Sequence, residues 1–344
     1  MVFSEKILTW YAENKRVLPW RRTKNPYNIW LSEVMLQQTR VAQGLPYYEK
    51  FIKEFPTVKD MAAASEEKVL KLWQGLGYYS RARNMHATAK IVVNEFDGKF
   101  PSTYKELIKL RGIGDYTASA IASICFDEPE PVVDGNVYRV LSRYFGIDLP
   151  INSSEGVKYF KNLAWEVMHT NIRDYNQGIM EFGAIQCAPK KPYCLHCPLS
   201  EGCVALAKNK VHELPVKLKK TKVKQKYFNY LVVIDSNKNT ILEQRTGKGI
   251  WQNLYQFPLI ETDTQVGLDV IKVKVAKVFS SLKGFEISEF NEKPIIHKLS
   301  HQHLHTKFWI VQSNDMLSNG ISNDTLEQYP VPVLIADFIR SFKF

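Results

Sequence analysis

The sequence predicts a multidomain chain, in which an all-α domain is followed by an α+β domain. Its 344 residues suit two domains, each long enough to bury its own core. Up to about residue 207, apolar residues recur at helical spacing between turns that contain Gly or Pro. Residues 208–226 hold eight lysines, one acidic residue and Pro215, which is typical of a linker. Beyond them, runs such as YFNYLVVIDSNKNTILEQR and KFWIVQS predict strands, and DVIKVKVAKVFSSL predicts a helix.

Composition favours a nucleic-acid partner for this chain. The net charge is +11 and the sequence pI is about 9.2, with 45% hydrophobic and 24% charged residues. A protein this basic is most simply a nucleic-acid binder, although a merely solvated basic surface is the alternative. No apolar run approaches the ~20 residues that span a bilayer. The opening MVFSEKILTWYAENKRV lacks the features of a secretory signal, so we expect a cytoplasmic protein.

Four of the five cysteines fall within CAPKKPYCLHCPLSEGC, residues 187–203. Disulfides are disfavoured in a reducing compartment, so the spacing indicates a metal site. Zinc usually takes two short-spaced pairs, and only one pair here has that spacing. The longer loops suit an iron–sulfur cluster better, but the spacing leaves both open. The predicted ligands are Cys187, Cys194, Cys197 and Cys203, whereas Cys125 lies in an apolar helix and is expected to be a core thiol.

The segment LRGIGDYTASAIASI places Gly112 and Gly114 in a tight turn ahead of an Ala-rich helix. Backbone N–H groups at such a helix N-terminus bind phosphate without reading sequence. The alternative is an ordinary helix hairpin whose glycines serve only the turn. A Gly-x-Gly pair is a weak signal, and it does not choose between the two.

Taken together, these motifs resemble the helix-hairpin-helix DNA glycosylases of the endonuclease III-like superfamily. The stretches LPWRRTKNPYNIWLSEVMLQQTRV, GLGYYSRARN and VVDGNVYRVLSR are similar to the MutY family of adenine DNA glycosylases within it. The resemblance implies a [4Fe–4S] cluster on the four clustered cysteines. It also implies a monomer that acts on double-stranded DNA with adenine opposite 8-oxoguanine or guanine, and that associates with the nucleoid. The implied domains are a glycosylase domain (1–207, hairpin about 105–125, cluster loop 187–203), a basic linker (208–226) and a Nudix-like recognition domain (227–344).

Excision of adenine calls for a proton donor at N7 and for negative charge beside the cationic sugar that remains. The resemblance assigns the acid to Glu33 and the stabilising or nucleophilic carboxylate to Asp134. Apolar neighbours in IWLSEVMLQQ are expected to bury Glu33 and raise its pKa. Fixed charge opposite the developing cation is most effective when it is preorganised. On local sequence alone, Glu33 is a surface residue of an amphipathic helix and Asp134 is a turn residue or a helix cap.

Position 116 distinguishes subclasses of the superfamily. Endonuclease III-like relatives carry there a lysine that attacks the sugar, whereas this chain has Tyr116 in the stretch GDYT. The resemblance therefore implies a monofunctional enzyme in which Tyr116 and Asn136 orient the sugar and Asp134. The rival functions are a glycosylase–lyase for damaged pyrimidines and a catalytically silent DNA-binding protein.

The resemblance also implies contacts with an extruded base and its partner. Arg21 and Gln177 would line the adenine pocket together with Glu33. Gln38 and Tyr78 would press into the duplex beside the partner base. Trp20 is expected to be either a wall of that pocket or part of the core.

The second domain lacks the Glu-rich box by which Nudix hydrolases bind magnesium, since no Arg-Glu dipeptide occurs in the chain. We therefore expect a reader of the lesion and no second enzyme. In the family a Phe-Ser-His loop touches 8-oxoguanine, and Ser300 and His301 match its last two residues. Leu299 replaces the aromatic residue, which places stacking there in doubt. His301, His303 and His305 alternate on one predicted strand without an acidic neighbour, and we expect no metal there.

Overall fold

The chain forms two compact units in a computed structural model that describes residues 2–218, 223–280, 282 and 284–344. One unit comprises Met1–Ala63 and Asn84–Lys219, and the other comprises Ala64–Arg83 and Lys220–Phe344. Residues 219–222 of the predicted linker lie outside the described residues. Within the described part of the chain, no helix is both long and apolar enough to cross a membrane.

The first unit is helical, as predicted, and most helices of the chain belong to it. In chain order the α-helices are α1 (Val2–Asn14), α2 (Pro26–Leu36), α3 (Val41–Glu54), α4 (Val58–Ala63), α5 (Glu66–Trp73), α6 (Ser80–Phe96), α7 (Tyr104–Leu107), α8 (Asp115–Phe126), α9 (Gly135–Phe145), α10 (Ser154–Val167), α11 (Ile172–Ile185), α12 (Val204–Ala207), α13 (Leu268–Val278) and α14 (Val333–Ser341). Short 3-10 helices cover Pro19–Arg22, Cys194–His196, Ser200–Gly202 and Asn323–Gln328.

Helices α2, α8, α9 and α11 of the first unit pack together around a cavity. Helix α8 is buried on nearly all sides because its small residues Ala118, Ala120 and Ala122 let neighbouring backbones approach. Helix α2 packs against α8, and α11 packs against α1, α8 and α9. Helix α9 ends at Gly146, whose φ of +69° is left-handed, and this is a conformation that favours glycine.

The second unit is built on a mixed sheet. Its described strands are β1 (Lys224–Ile234), β2 (Asn239–Thr240), β3 (Glu243–Gln244), β4 (Tyr255–Gln256), β5 (Leu259–Thr262), β6 (Phe285–Glu289), β7 (Ile295–Lys298), β8 (Gln302–Ser313) and β9 (Ile321–Ser322). Strands β1 and β8 are the parallel centre, paired from Lys224↔Gln302 to Ile234↔Gln312. Strand β1 therefore starts three residues before the second domain predicted at 227. The other pairings are antiparallel, and β3 and β4 form a separate ribbon.

The central strands are buried on both faces, which explains why LVVI and FWIV read as continuous apolar runs. Helix α13 covers one face and α14 contributes to the other, where the ring of Phe338 stacks on that of Phe308 with centroids 4.2 Å apart. The fully buried cluster beneath α13 consists of Leu231, Val233, Ile271, Val275, Trp309 and Val311. The predicted α+β architecture is thus confirmed.

Residues 64–83 belong to the second unit although they lie in the first part of the sequence. Lys71 Nζ donates to the carbonyl oxygen of Tyr329 at 3.1 Å. Arg83 Nη1 donates to the carbonyl oxygen of Gln252 at 2.8 Å, and Asn253 Nδ2 donates to Glu66 Oε1 at 2.5 Å. Sequence patterning did not indicate this grouping, because periodicity reports which face of a helix is buried and not which domain covers it.

Candidate active site

A cavity of about 990 Å³ in the first unit gathers most of the predicted site residues. It opens between the 3-10 helix Pro19–Arg22, helices α2 and α11, and the N-termini of α8 and α9. Both carboxylates predicted to do the chemistry line it. The predicted residues among its walls are Arg21, Glu33, Gln38, Gly114, Tyr116, Asp134, Asn136 and Gln177, together with Trp20.

Glu33 lies on α2 with 8% of its surface exposed. Burial raises the pKa of Glu33 to about 7, the neighbouring Asp134 acts in the same direction, and a hydrogen bond from Tyr116 and the charge of Arg21 oppose it. Tyr116 Oη donates to Glu33 Oε2 at 2.5 Å and also lies 3.1 Å from the sulfur of Met180. Glu33 is therefore a buried carboxylic acid that is half ionised near neutral pH, and it is not the surface residue that local sequence favours.

Asp134 caps the N-terminus of α9, as the helix-cap alternative predicts. Its Oδ1 accepts from the backbone N–H groups of Asn136 at 2.9 Å and Val137 at 2.8 Å. Its Oδ2 accepts from Asn136 Nδ2 at 2.7 Å. Burial raises the pKa of Asp134, while these three donors stabilise the charged form. The cap geometry fixes the carboxylate at the cavity wall.

Arg139 links this carboxylate to the cysteine loop. Its Nη2 donates to Asn136 Oδ1 at 2.8 Å and to the carbonyl oxygen of Gly183 at 2.6 Å. Its Nε donates to the carbonyl oxygen of Cys187 at 2.7 Å. Asn136 is thereby held from both ends, since it accepts from Arg139 and donates to Asp134.

Arg21 and Gln177 face the cavity from the 3-10 helix and from α11. Gln177 Nε2 lies 3.4 Å from the carbonyl oxygen of Arg173. Arg21 is bound by Glu181, a buried carboxylate one helical turn after Gln177. Trp20 is 6% exposed, packs edge-on against Tyr48 at 5.0 Å and also lines the cavity, so it belongs both to the core and to the cavity wall.

The hairpin between α7 and α8 has the turn that its glycines predict. Gly112 has φ +76°, and a Cβ added there would lie 2.7 Å from Asn84 Cβ, so both backbone and space demand glycine. Gly114 is the N-cap of α8, and an added Cβ would meet nothing within 4 Å. Just after the end of α2, Gln38 adopts φ +56° and lines the cavity that also contains Glu33.

The four clustered cysteines line one pocket together with Arg143. Arg143 Nη1 lies 3.4 Å from the sulfur of Cys187 and donates to the carbonyl oxygen of Ala188 at 2.9 Å. Burial raises the pKa of the Cys197 and Cys203 thiols, and the backbone N–H groups of Leu199 and Leu206, which point at these two sulfurs, oppose the shift. Among the described residues no group of three or more His, Cys, Asp or Glu has the spacing to hold one metal ion. Four thiols around one pocket, with N–H groups aimed at sulfur, suit a body larger than a single ion.

Tyr78, Ser300 and His301 belong to the second unit. The hydroxyls of Tyr78 and Ser300 form a hydrogen bond of 2.7 Å. Ser300 and His301 are exposed between β7 and β8, where the N–H of Leu299 donates to the carbonyl oxygen of Gln302 at 2.8 Å. On β8, the imidazole of His305 bonds Gln225 Oε1 at 2.8 Å and stacks on Tyr227.

Comparison with known proteins identifies the family. The HhH-GPD superfamily base excision DNA repair protein family matches residues 31–164, and the NUDIX domain family matches residues 229–341. The adenine DNA glycosylase of Buchnera aphidicola subsp. Baizongia pistaciae is 36% identical over 352 residues, covering 97% of this chain and 95% of that protein. The chain belongs to the adenine DNA glycosylase family. It is a hydrolase of DNA repair that acts on N-glycosyl bonds, as the sequence motifs predict.

Solved structures place the helical domain of this adenine DNA glycosylase family member in the endonuclease III-like fold. A thermostable thymine-DNA glycosylase is 32% identical with a TM-score of 0.56, covering 60% of this chain and 96% of that chain. Endonuclease III in a non-covalent DNA complex is 22% identical with a TM-score of 0.53, covering 60% and 94%. The predicted helix-hairpin-helix and Nudix-like architecture is thus confirmed.

Sequence reasoning missed two charged residues that bind predicted site residues: Glu181, which binds Arg21, and Arg139, which binds Asn136. A signal existed for each. Glu181 follows Gln177 by four residues on a largely apolar helix, so the two share one face. Arg139 stands three residues after Asn136, which also places both on one face of α9.

Proposed function

We propose that this enzyme removes adenine paired with 8-oxoguanine or guanine from double-stranded DNA, by hydrolysis of the N-glycosidic bond. The observation that carries the proposal is the presence of two different carboxyl groups on one cavity. Glu33 is buried with a pKa of about 7, and Asp134 is held by three hydrogen-bond donors. One group can deliver a proton at neutral pH, and the other accepts hydrogen bonds that favour its charged form against the burial that raises its pKa.

Glu33 is the general acid in this proposal. Tyr116 donates to Oε2, which leaves Oε1 to carry the proton for N7 of the extruded adenine. Protonation at N7 converts adenine into a neutral leaving group when the bond to the sugar breaks. Arg21 and Gln177, on the same cavity wall, supply hydrogen bonds to the base.

Asp134 is the group that stabilises the cationic sugar, by charge or by a covalent bond. Asn136 fixes its Oδ2, and the N-terminus of α9 fixes its Oδ1, so little rearrangement is required as the charge develops. Tyr116 and Asn136 also orient the sugar. Because position 116 carries no amine, we propose a monofunctional glycosylase, whose product is an intact strand with an abasic site.

Residues of both units are proposed to contact the DNA. The N-terminus of α8, with Gly112 and Gly114, presents backbone N–H groups to a phosphate, and the openness around Gly114 supports close approach. Gln38 and Tyr78, both with left-handed φ angles, press into the duplex beside the partner base. Ser300 and His301 read that base from the second unit. The enzyme acts as a monomer.

The four thiols of the cysteine loop would hold a [4Fe–4S] cluster. Bound there, it supplies four soft iron–thiolate bonds that cross-link residues 187–203. Arg143, which contacts Cys187 and the following carbonyls, holds the start of that loop against α9. No step of the hydrolysis passes through this group.

A panel of duplexes tests the proposal in single-turnover assays with the intact chain. Adenine release is expected from A:8-oxoguanine and A:G duplexes, with strand breaks only after alkali. Duplexes with a T:G mispair or with thymine glycol are expected to remain intact. Glu33→Gln serves as the control for contaminating activity. Release of thymine glycol with breaks before alkali would establish the glycosylase–lyase alternative, and release of thymine from T:G would replace the proposed substrate.

A further inference from the structure

Glu181 is a buried carboxylate on the wall of the cavity that the proposed reaction does not use. Its side chain is 1% exposed and lies on α11, four residues after Gln177. Two guanidinium groups bind it, those of Arg16 and Arg21, which are 39% and 14% exposed. All three side chains belong to the cavity lining.

The carboxylate of Glu181 is saturated by its partners. Oε1 accepts from the backbone N–H of Arg16 at 3.0 Å, from Arg16 Nε at 2.8 Å and from Arg21 Nη1 at 2.8 Å. Oε2 accepts from Arg16 Nη2 at 2.5 Å and from Arg21 Nη2 at 2.7 Å. Since a carboxylate offers about four lone-pair sites, none is left for a base. Any influence of Glu181 on a substrate must therefore pass through the arginines.

Arg21 is fixed in one orientation by these bonds. Both N–H groups of Nη1 are used, one by Glu181 and the other by the carbonyl oxygen of Arg16 at 3.0 Å. The guanidinium also lies over the ring of Tyr11, 5.6 Å from its centroid. Within the described chain, Nε–H and the second N–H of Nη2 of Arg21 have no hydrogen-bond partner. A base that enters the cavity meets donors whose positions are set in advance.

Glu181 also balances charge near the proposed acid. The groups that act on Glu33 are Tyr116, Asp134 and Arg21, and the positive charge of Arg21 lowers the pKa of Glu33. Hydrogen bonds from Arg16 and Arg21 hold the pKa of Glu181 at about 2, so it is an anion at every pH of interest. Without that anion, two cations would face the cavity and would favour ionised Glu33.

We propose that Glu181 is a positioning residue for adenine excision, which fixes the donors of Arg21 and offsets its charge so that Glu33 remains the proton donor at neutral pH. This inference rests on the proposed function. Glu181 would be a third carboxylate of the site. Unlike Glu33 and Asp134, it touches neither the base nor the sugar.

The test is the pH dependence of the single-turnover rate of Glu181→Gln on an A:8-oxoguanine duplex. We expect a rate about tenfold or more lower near pH 7.5, since Arg21 loses a bidentate partner. We also expect the falling limb of the profile to move to lower pH, because the unmasked cations favour the Glu33 carboxylate. Glu181→Asp keeps the charge on a shorter side chain. The single-turnover rate of this variant should fall, while the falling limb of its pH–rate profile stays in place. Glu130→Gln, which removes a carboxylate that pairs with Lys161 and does not line the cavity, is the matched control with an unchanged limb.

A double-mutant comparison shows whether Glu181 acts through Arg21. Glu181→Gln added to Arg21→Gln should change the rate less than about threefold, since the residue that it positions is already gone. The inference would be overturned if the falling limb of the pH–rate profile stayed in place in Glu181→Gln. It would also be overturned if the rate loss of the double variant equalled the product of the losses of the two single variants. If Glu181→Gln does not fold, Glu181→Asp is added to Arg21→Gln instead. A single-turnover rate tenfold or more below that of Arg21→Gln alone would then overturn the inference. A full rate in Glu33→Gln would instead overturn the proposed function itself.

Discussion

The phenol oxygen of Tyr78 lies 2.7 Å from the hydroxyl oxygen of Ser300, across 222 residues of sequence. Tyr78 has φ +49° and is 47% exposed, and the guanidinium of Arg81 lies 5.5 Å from its ring centroid. The hydroxyl proposed to read the lesion therefore has a partner before DNA binds. Contact with a base edge would exchange one hydrogen bond for another, which makes the net gain small.

Ser300→Ala should lower the selectivity for A:8-oxoguanine over A:G by up to roughly tenfold, since one hydrogen bond is worth about 0.5–1.5 kcal/mol. The rate on A:G should change less. Single-turnover rates on the two duplexes measure this. Tyr78→Phe is the matched control, because it removes the same internal bond and leaves the Ser300 hydroxyl available. Equal losses on both duplexes in Ser300→Ala would place the residue in folding or in general DNA binding.

The pairing of Tyr78 with Ser300 marks the limit of what the sequence could predict. Local patterns predicted the elements, because the hairpin turn at Gly112 and the cap at Asp134 depend on residues within a few positions. Local patterns alone favoured a surface position for Glu33, and its apolar neighbours indicated burial only together with the family resemblance. Contacts between distant segments, such as Glu181 with Arg21, depend on tertiary packing that periodicity does not report.

Ionisation of Glu33 should govern both rate and stability. With a pKa of about 7, raised from 4.5 by burial, the acid form disappears as pH rises through 7, and the excision rate should fall with it. Glu33→Gln should lower the rate by a factor on the order of 10²–10⁴. Single-turnover assays between pH 5.5 and 9 measure this dependence.

The same shift predicts a stability effect with a definite sign. The folded state binds the Glu33 proton more tightly than the unfolded state. The contribution of this bound proton to the free energy of unfolding is complete below about pH 4.5 and is lost as pH rises through about 7. At pH 8, Glu33→Gln should therefore be more stable than the unmodified chain, by on the order of 3 kcal/mol. Urea unfolding at pH 5 and pH 8 tests this, and a less stable variant at pH 8 would contradict the burial of this charge.

Tyr116→Phe should move the falling limb of the rate profile to higher pH. The hydrogen bond from Tyr116 lowers the pKa of Glu33, so its loss leaves the effect of burial less opposed. The pKa of Tyr116 is itself raised well above its usual value, so the phenol remains a donor throughout the assay. Tyr104→Phe removes a phenol of the same hairpin that donates to Asp115 at 2.7 Å, and its limb should not move. A limb shifted to lower pH in Tyr116→Phe would rule out this coupling.

Iron and sulfide content tests the assignment of the cysteine loop. The purified protein should be yellow-brown, and Cys197→Ser should lose iron and solubility together. Burial and three neighbouring thiols raise the pKa of the Cys197 thiol, so its thiolate form depends on a cationic partner. Cys125→Ser alters the one thiol outside the loop and should retain its iron. Elemental analysis that finds one zinc and no sulfide would refute the cluster.

The last prediction concerns the amine that position 116 lacks. Tyr116→Lys would place an ammonium group where the phenol now contacts Glu33, and the two would form a buried ion pair. Such a pair keeps the amine protonated, and a protonated amine cannot attack C1′. On a duplex that already contains an abasic site, we therefore expect little borohydride-trapped adduct from Tyr116→Lys alone. Adding Glu33→Gln removes the ion-pair partner, lowers the pKa of the amine by burial, and should raise trapping and strand cleavage above those of either single variant. Strong trapping by the unmodified chain would mean that another lysine attacks the sugar, and the monofunctional assignment would be wrong.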